Sequence, residues 1–186
     1  AGTFSLWGIG GIDGTKKEAL TEKDKWETDM DRIKNNWDMY VGAAGLRHRI
    51  TSGNTFIESS LSASGTNNKI TTDLLSKDLT KLKSQNGTLS LSSAFTHKYS
   101  PMATLKAGAS YKHLFYKYNL SAAQDYDPST YALLANSTGN TPLVEAFAQF
   151  KYNLTPSLLA NVGVHTEYFG INKELSIEPR IALQWN

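Results

Sequence analysis

The chain has 186 residues, a formal net charge of +2 and no cysteine. These values exclude a disulfide framework, a thiol nucleophile, a cysteine zinc site and the strong basic field of a nucleic-acid binder. Hydrophobic content of 40% with a mean hydropathy of -0.38 leaves two classes standing, an ordinary soluble domain and a β-barrel with a wet lumen, because no apolar run reaches the length of a membrane-spanning helix.

Period-two alternation with β-branched and aromatic residues predicts about eight strands. The first lies near residues 3–11, and after it comes the polar stretch "IDGTKKEALTEKDKWETDMDRIKNN". "GIGGIDGTKK" resists a phosphate-loop reading because Gly14 is followed by Thr15 and only then by Lys16, so its glycines read as strand-end glycines. The second and third strands, near 37–50 and 55–65, are joined only by "TSGN". The long "TNNKITTDLLSKDLTKLKSQN" then leads to a fourth strand near 87–99. "SPM" links this to a fifth near 103–117, and "SAAQDYDPSTYALLANSTGNTP" leads on to a sixth near 143–153. "LTPS" precedes the seventh, near 158–169, and "FGINKEL" precedes the eighth, near 175–185. Long and short connections alternate, as in a barrel with short periplasmic turns and long external loops. Trp26, Met30 and Ile33 in the first long connection share a helical face, as do Leu75, Leu79 and Leu82 in the second. Either a short helix or an extended hairpin is expected there.

The strand faces are chemically sorted. Ile57, Leu61 and Ala63 oppose Glu58, Ser60, Ser62 and Ser64; Leu105, Ala107, Ala109 and Tyr111 oppose Lys106, Gly108, Ser110 and Lys112. Leu158, Ala160, Val162, Val164, Thr166 and Tyr168 oppose Leu159, Asn161, Gly163, His165 and Glu167. In "SIEPRIALQW" the set Ile177, Pro179, Ile181, Leu183 and Trp185 opposes Glu178, Arg180 and Gln184. Pro179 is expected to mark a local break in pairing. Rings gather toward strand ends at Trp37, Tyr40, Phe95, Tyr99, Phe150, Tyr152, Tyr168, Phe169 and Trp185, as in interfacial girdles.

No catalytic constellation is visible, so the chain is not expected to be an enzyme. His48, His97, His113 and His165 are far apart without paired ligand spacing and are expected in the lumen or at strand ends. "DYDPSTY" offers Asp125, Asp127 and Ser129 as oxygen ligands but lacks the glycine and distal glutamate of an EF-hand; no metal and no cofactor are expected. Lumen-facing binding candidates are Glu178, Arg180, Glu167 and His165. For Glu178 and Arg180, a charged lattice between strands is the favoured role over ligand recognition.

At "NWDMYVGAAGLRHRI", "NTFIESSLSASGT", "HKYSPMATLKAGASYKHLFYKYN" and "SIEPRIALQW" the chain resembles the barrel of TonB-dependent outer-membrane receptors, particularly the group with a carboxypeptidase-regulatory-like domain. The likeness implies an all-β fold, an antiparallel up-and-down meander of about eight strands forming part of a transmembrane outer-membrane β-barrel. Residues 1–186 are then expected to be a single internal segment of the barrel domain, with plug and N-terminal domain absent. The implied function is uptake of a scarce nutrient, such as an iron chelate, a cobalamin-like cofactor or a glycan, across the Gram-negative outer membrane. Implied partners are outer-membrane lipid, the TonB system acting through other parts of the parent chain, and a small-molecule substrate. A complete eight-stranded membrane barrel with an anchor or adhesion role, and a soluble β-sandwich binding module, are the competing expectations.

Overall fold

The computed structural model describes residues 2–185. Eight strands form one sheet in sequence order: β1 (Gly2–Lys17), β2 (Ile33–Ser52), β3 (Thr55–Leu74), β4 (Lys77–Lys98), β5 (Ala103–Ala122), β6 (Ala132–Thr155), β7 (Leu158–Phe169) and β8 (Glu174–Trp185). Every neighbouring pair is antiparallel. The fold is all-β and up-and-down, as the alternation implied. β1 and β8 do not pair with each other, so the eight strands do not close into a small barrel. The described residues form one sheet with no second layer, which does not match a sandwich.

A packed core is missing. Among the described residues only Ile33, Leu79 and Ala103 are buried apolar residues, and no large side chain is fully buried. The accessible surface is 12635 Å², whereas a compact monomer of this mass exposes about 8,900 Å². The excess is the second surface of a single-layer sheet.

The strands outrun the expected ones, chiefly on the side of the long connections. Residues 66–86 are a paired hairpin closed by Leu75 and Ser76, at φ 47 and 72, the two positive values of a tight I′-type turn. No helix carries Leu79 or Leu82. Leu82 instead stands in a cross-strand row with Trp37, Ile70, Leu120 and Ala135, and pairing along this row overrides the local leucine spacing. In the first connection only 3-10 turns form, at Lys23–Lys25 and Asp29–Arg32, and Ile33 already belongs to β2. The third long connection shrinks to 123–131, holding the 3-10 turn Pro128–Thr130.

Pro179 does not break the pairing. It sits opposite Val164 with no register shift. Gly170 donates its N–H to Pro142 O at 2.9 Å, toward β6. Successive residues turn their backbone groups to opposite sides, so Phe169, Glu167 and His165 face β8 while Val164 faces β6. The absent Pro179 N–H therefore falls on the free edge of β8, where proline is tolerated.

Candidate functional site

Following each cross-strand register from β8 back to β1 assigns every strand residue to one of two faces. The first carries Leu6, Leu46, Leu61, Leu91, Tyr111, Val144, Tyr168 and Leu175 in a single row. It unites the apolar sets that the sequence gives strand by strand. Most of its apolar side chains are exposed, among them Leu61, Leu91, Val162 and Ile181, the last at 76%. The opposite face is mainly polar, with Trp7, Ile9, Phe56 and Phe147 among its larger apolar members, and its residues on the inner strands are mostly half-buried. A curved sheet produces this contrast when its polar face is concave. The amphipathicity is inside out relative to a water-soluble domain.

On β5 the apolar face runs from Leu105 to Phe115 and then gives way to Lys117. Those eleven or so residues span about 33 Å along the strand. Lys69 on β3, Lys83 on β4 and Asp38 on β2 mark the same change. Tyr40, Phe115 and Tyr168 lie along this boundary. The row of Tyr168 crosses β2 at Leu46, six residues below Tyr40. The ring line thus descends about 1.2 residues per strand, which for strands about 4.8 Å apart corresponds to a tilt of about 40°. Projected at that tilt, the apolar band is about 25 Å tall. Above it the pattern inverts, with Trp37, Ile70, Leu82 and Leu120 on the concave side and lysines on the convex one.

The concave face carries a ladder of charge-assisted contacts. Arg49 Nε donates to Glu58 Oε2 at 2.6 Å, with Arg47 Nε 3.8 Å from the other carboxylate oxygen. Ser60 and Ser92 hydroxyls are 2.8 Å apart. Glu145 Oε2 accepts from Lys112 Nζ at 2.7 Å and Ser110 Oγ at 2.8 Å. Glu178 Oε2 accepts from Arg180 Nη2 at 2.7 Å and lies 3.6 Å from His165 Nδ1. Contacts to Glu58, Glu145 and His165 each join two adjacent strands. The Glu178–Arg180 contact itself lies within β8, and these partly exposed pairs stabilise modestly.

Of the four candidates, the structure brings His165, Glu178 and Arg180 together. Glu167 stands apart, opposite Glu145 and Ser176, with no hydrogen bond or ion pair among the described residues. A depression of about 400 Å³ lies beside the trio, lined by Phe147, Gln149, Asn161, Gly163, His165 and Arg180. Gly163 makes room for it, since a Cβ there would come 2.9 Å from Ala148 O. Asn161 Oδ1 and His165 Nδ1 are shielded and make no hydrogen bond. With the Arg180 guanidinium they can meet a small polar solute, and no nucleophile with a base and an orienting third group stands there.

Two parts of the ladder were not among the sequence candidates: the Glu145 cluster and the Arg47, Arg49, Glu58 group. Alternation places Lys112 and Ser110 on one face, but only the β5–β6 register brings Glu145 to them. The histidines split. His165 is concave and His97 lies near the end of β4, its Nδ1 2.7 Å from Thr55 Oγ1. His48, near the end of β2, and His113 stand on the apolar face, His48 stacked on Phe4 with centroids 4.1 Å apart. In the 123–131 loop the Asp127 carboxylate accepts from Ser129 N at 2.9 Å and Ser129 Oγ at 2.8 Å. It caps the turn, and those contacts hold its carboxyl below the usual range. Among the described residues no cluster of three or more His, Asp or Glu has metal-binding geometry. No family model matches the chain, and no curated protein is significantly similar to it.

Proposed function

We propose that the chain is a wall segment of an outer-membrane β-barrel of the TonB-dependent receptor type, serving uptake of a scarce nutrient such as an iron chelate, a cobalamin-like cofactor or a glycan. The observation that carries the membrane part of this reading is the inverted amphipathicity. An exposed convex band of Leu, Val, Ile and Ala about 25 Å tall matches the apolar girdle of a barrel wall, while a soluble protein would leave it in water against the hydrophobic effect. The receptor part rests on the resemblance of the strand sequences, and the two free edges agree with a wall that continues into further strands. In this reading the concave ladder faces the lumen, and the hairpins at Leu75 and Asp127 with the connection at Lys23 face the exterior. The turns at Gly53, Pro101 and Pro156 face the periplasm. The residues are assigned no catalytic role.

Epitope tags at Lys23, Ser76 or Asp127 of the full-length protein are expected to be reached by antibody on whole cells, and a tag at Gly53 only after permeabilisation. Uptake of the nutrient is expected to stop when the TonB system is deleted. Surface reactivity at Gly53 contradicts the topology, and uptake that persists without TonB contradicts the receptor assignment.

A further inference from the structure

Among the described residues nine lysines make no ion pair, and three of them stand together at the upper edge of the convex band, the other six being scattered. Lys69 and Lys83 stand directly opposite each other on β3 and β4, and Lys117 on β5 lies opposite Gln85, one diagonal step from Lys83. None of the three makes an ion pair among the described residues, and what sets them apart from the other unpaired lysines is that they are cross-strand and diagonal neighbours on one face. Like charges facing each other across a ladder destabilise a sheet. The nearest acid by register, Asp38, is opposite Lys69, but its Oδ1 leans toward Gly14 of β1, within 3.4 Å of where a Cβ would stand. Cross-strand and diagonal neighbours are about 5 and about 7 Å apart at the Cβ, so the flexible ammonium heads can converge on one anion.

The position of the cluster selects the anion. The three lysines follow the same descending line as the ring boundary and sit just above the apolar band. Directly below them is a surface recess of about 560 Å³ lined by Tyr40, Gly42, Gly65, Asn67, Gln85 and Phe115, with Lys117 at its rim. Gly42, Gly65 and Gly87 are in register, so the recess floor is backbone, and the Phe115 ring closes it over Gly87. A cationic rim above a recess flanked by the Tyr40 and Phe115 rings, with the Asn67 and Gln85 amides on its upper side, is complementary to an amphiphile with an anionic, hydrogen-bonding head and an acyl tail.

We propose that Lys69, Lys83 and Lys117 dock the phosphate of a phosphorylated outer-leaflet lipid, with part of an acyl chain in the recess between Tyr40 and Phe115. The proposal rests on the membrane-wall reading above. The test uses the full-length protein in detergent, with native mass spectrometry of retained bisphosphorylated lipid A and of its enzymatically dephosphorylated form. K69Q/K83Q/K117Q is expected to lower lipid A retention about tenfold, and K69R/K83R/K117R to keep it. K98Q/K151Q, at the opposite strand ends, is expected to leave it unchanged, as is millimolar inorganic phosphate. Equal retention by the Gln variant, equal retention of dephosphorylated lipid, or full displacement by inorganic phosphate overturns the proposal. In parallel, a fluorophore at Leu91 reports quenching by brominated lipid. Quenching at Leu91 with unchanged lipid A retention refutes the docking site alone, and absence of quenching refutes the membrane wall together with it.

Discussion

Substituting Leu91 by lysine separates a lipid-facing band from a water-facing one by a large margin. On β4 the apolar face runs from Phe95 to Gly87, which places Leu91 in the middle, about 13 Å along the strand from either end. At about 40° tilt this is about 10 Å from each end of that stretch and farther from Lys83, too far for easy escape of an ammonium to the headgroups. A lysine at the midplane of a barrel's lipid face costs about 2–4 kcal/mol, and the cost falls to about 0–1 kcal/mol near the interface. Leu91→Lys is thus expected to destabilise by about 3 kcal/mol, Phe115→Lys by about 1 kcal/mol, and Ser92→Lys, on the concave face, by less than about 1 kcal/mol. Were the convex face in water, Leu91, already 55% exposed, would tolerate lysine within about 0.5 kcal/mol. Equilibrium guanidinium titration of the full-length protein in phospholipid vesicles, read by tryptophan fluorescence, measures the differences. A cost for Leu91→Lys no greater than that for Ser92→Lys refutes the reasoning.

Three further outcomes are expected. A Cβ on Gly87 would come 2.1 Å from the Phe115 ring, which is partly exposed and can swing aside, so Gly87→Ala is expected to cost about 0.5–1.5 kcal/mol through the displaced rotamer in the same titration, with most of the loss absent in a Phe115→Ala background. Glu145→Gln and Lys112→Met are expected to couple by about 0.5–1 kcal/mol in a double-mutant cycle, since the pair is hydrogen-bonded but partly exposed. Because Ser129 lowers the folded-state pKa of Asp127, the stability of that cap is full above the carboxyl's ordinary pKa and is lost as pH falls through the lowered one. Proteolysis of the 123–131 loop is accordingly expected to rise on acidification in the native protein, and to be already high and pH-independent in Asp127→Ala.

The sequence discloses the faces more readily than the extent of the strands. Within the band one side meets apolar surroundings and the other polar groups, so alternation is strong, and Leu105 to Tyr111 or Leu158 to Tyr168 can be sorted by eye. Beyond it, segments such as "TNNKITTDLLSKDLTKLKSQN" need no continuous apolar face, the alternation fades, and the chance spacing of Leu75, Leu79 and Leu82 imitates a helix. The I′-type turn at Leu75 and Ser76 lacks the usual Asn-Gly signal. In the site, His165, Glu178 and Arg180 were visible because adjacent strands with a short connection fix their own register. Glu145 was not, because its partners on β5 lie more than thirty residues away and only the long-range pairing joins them. Pro179 looked like a break because a proline in a strand has two solutions, a bulge or an unpaired edge, and edge position is a property of the whole sheet.

A single-cysteine scan from Leu105 to Lys117 tests the inverted wall most directly, and residues 1–186 contribute no cysteine of their own to it. In the full-length protein in bilayers, labels at 107, 109, 111 and 113 are expected to be quenched by brominated lipid and shielded from a charged thiol reagent. Positions 106, 108, 110 and 112 are expected to react with that reagent wherever the lumen is wet, and position 117 to regain reactivity above the band. Equal labelling of odd and even positions, or odd positions that no lipid quencher reaches, contradicts the account.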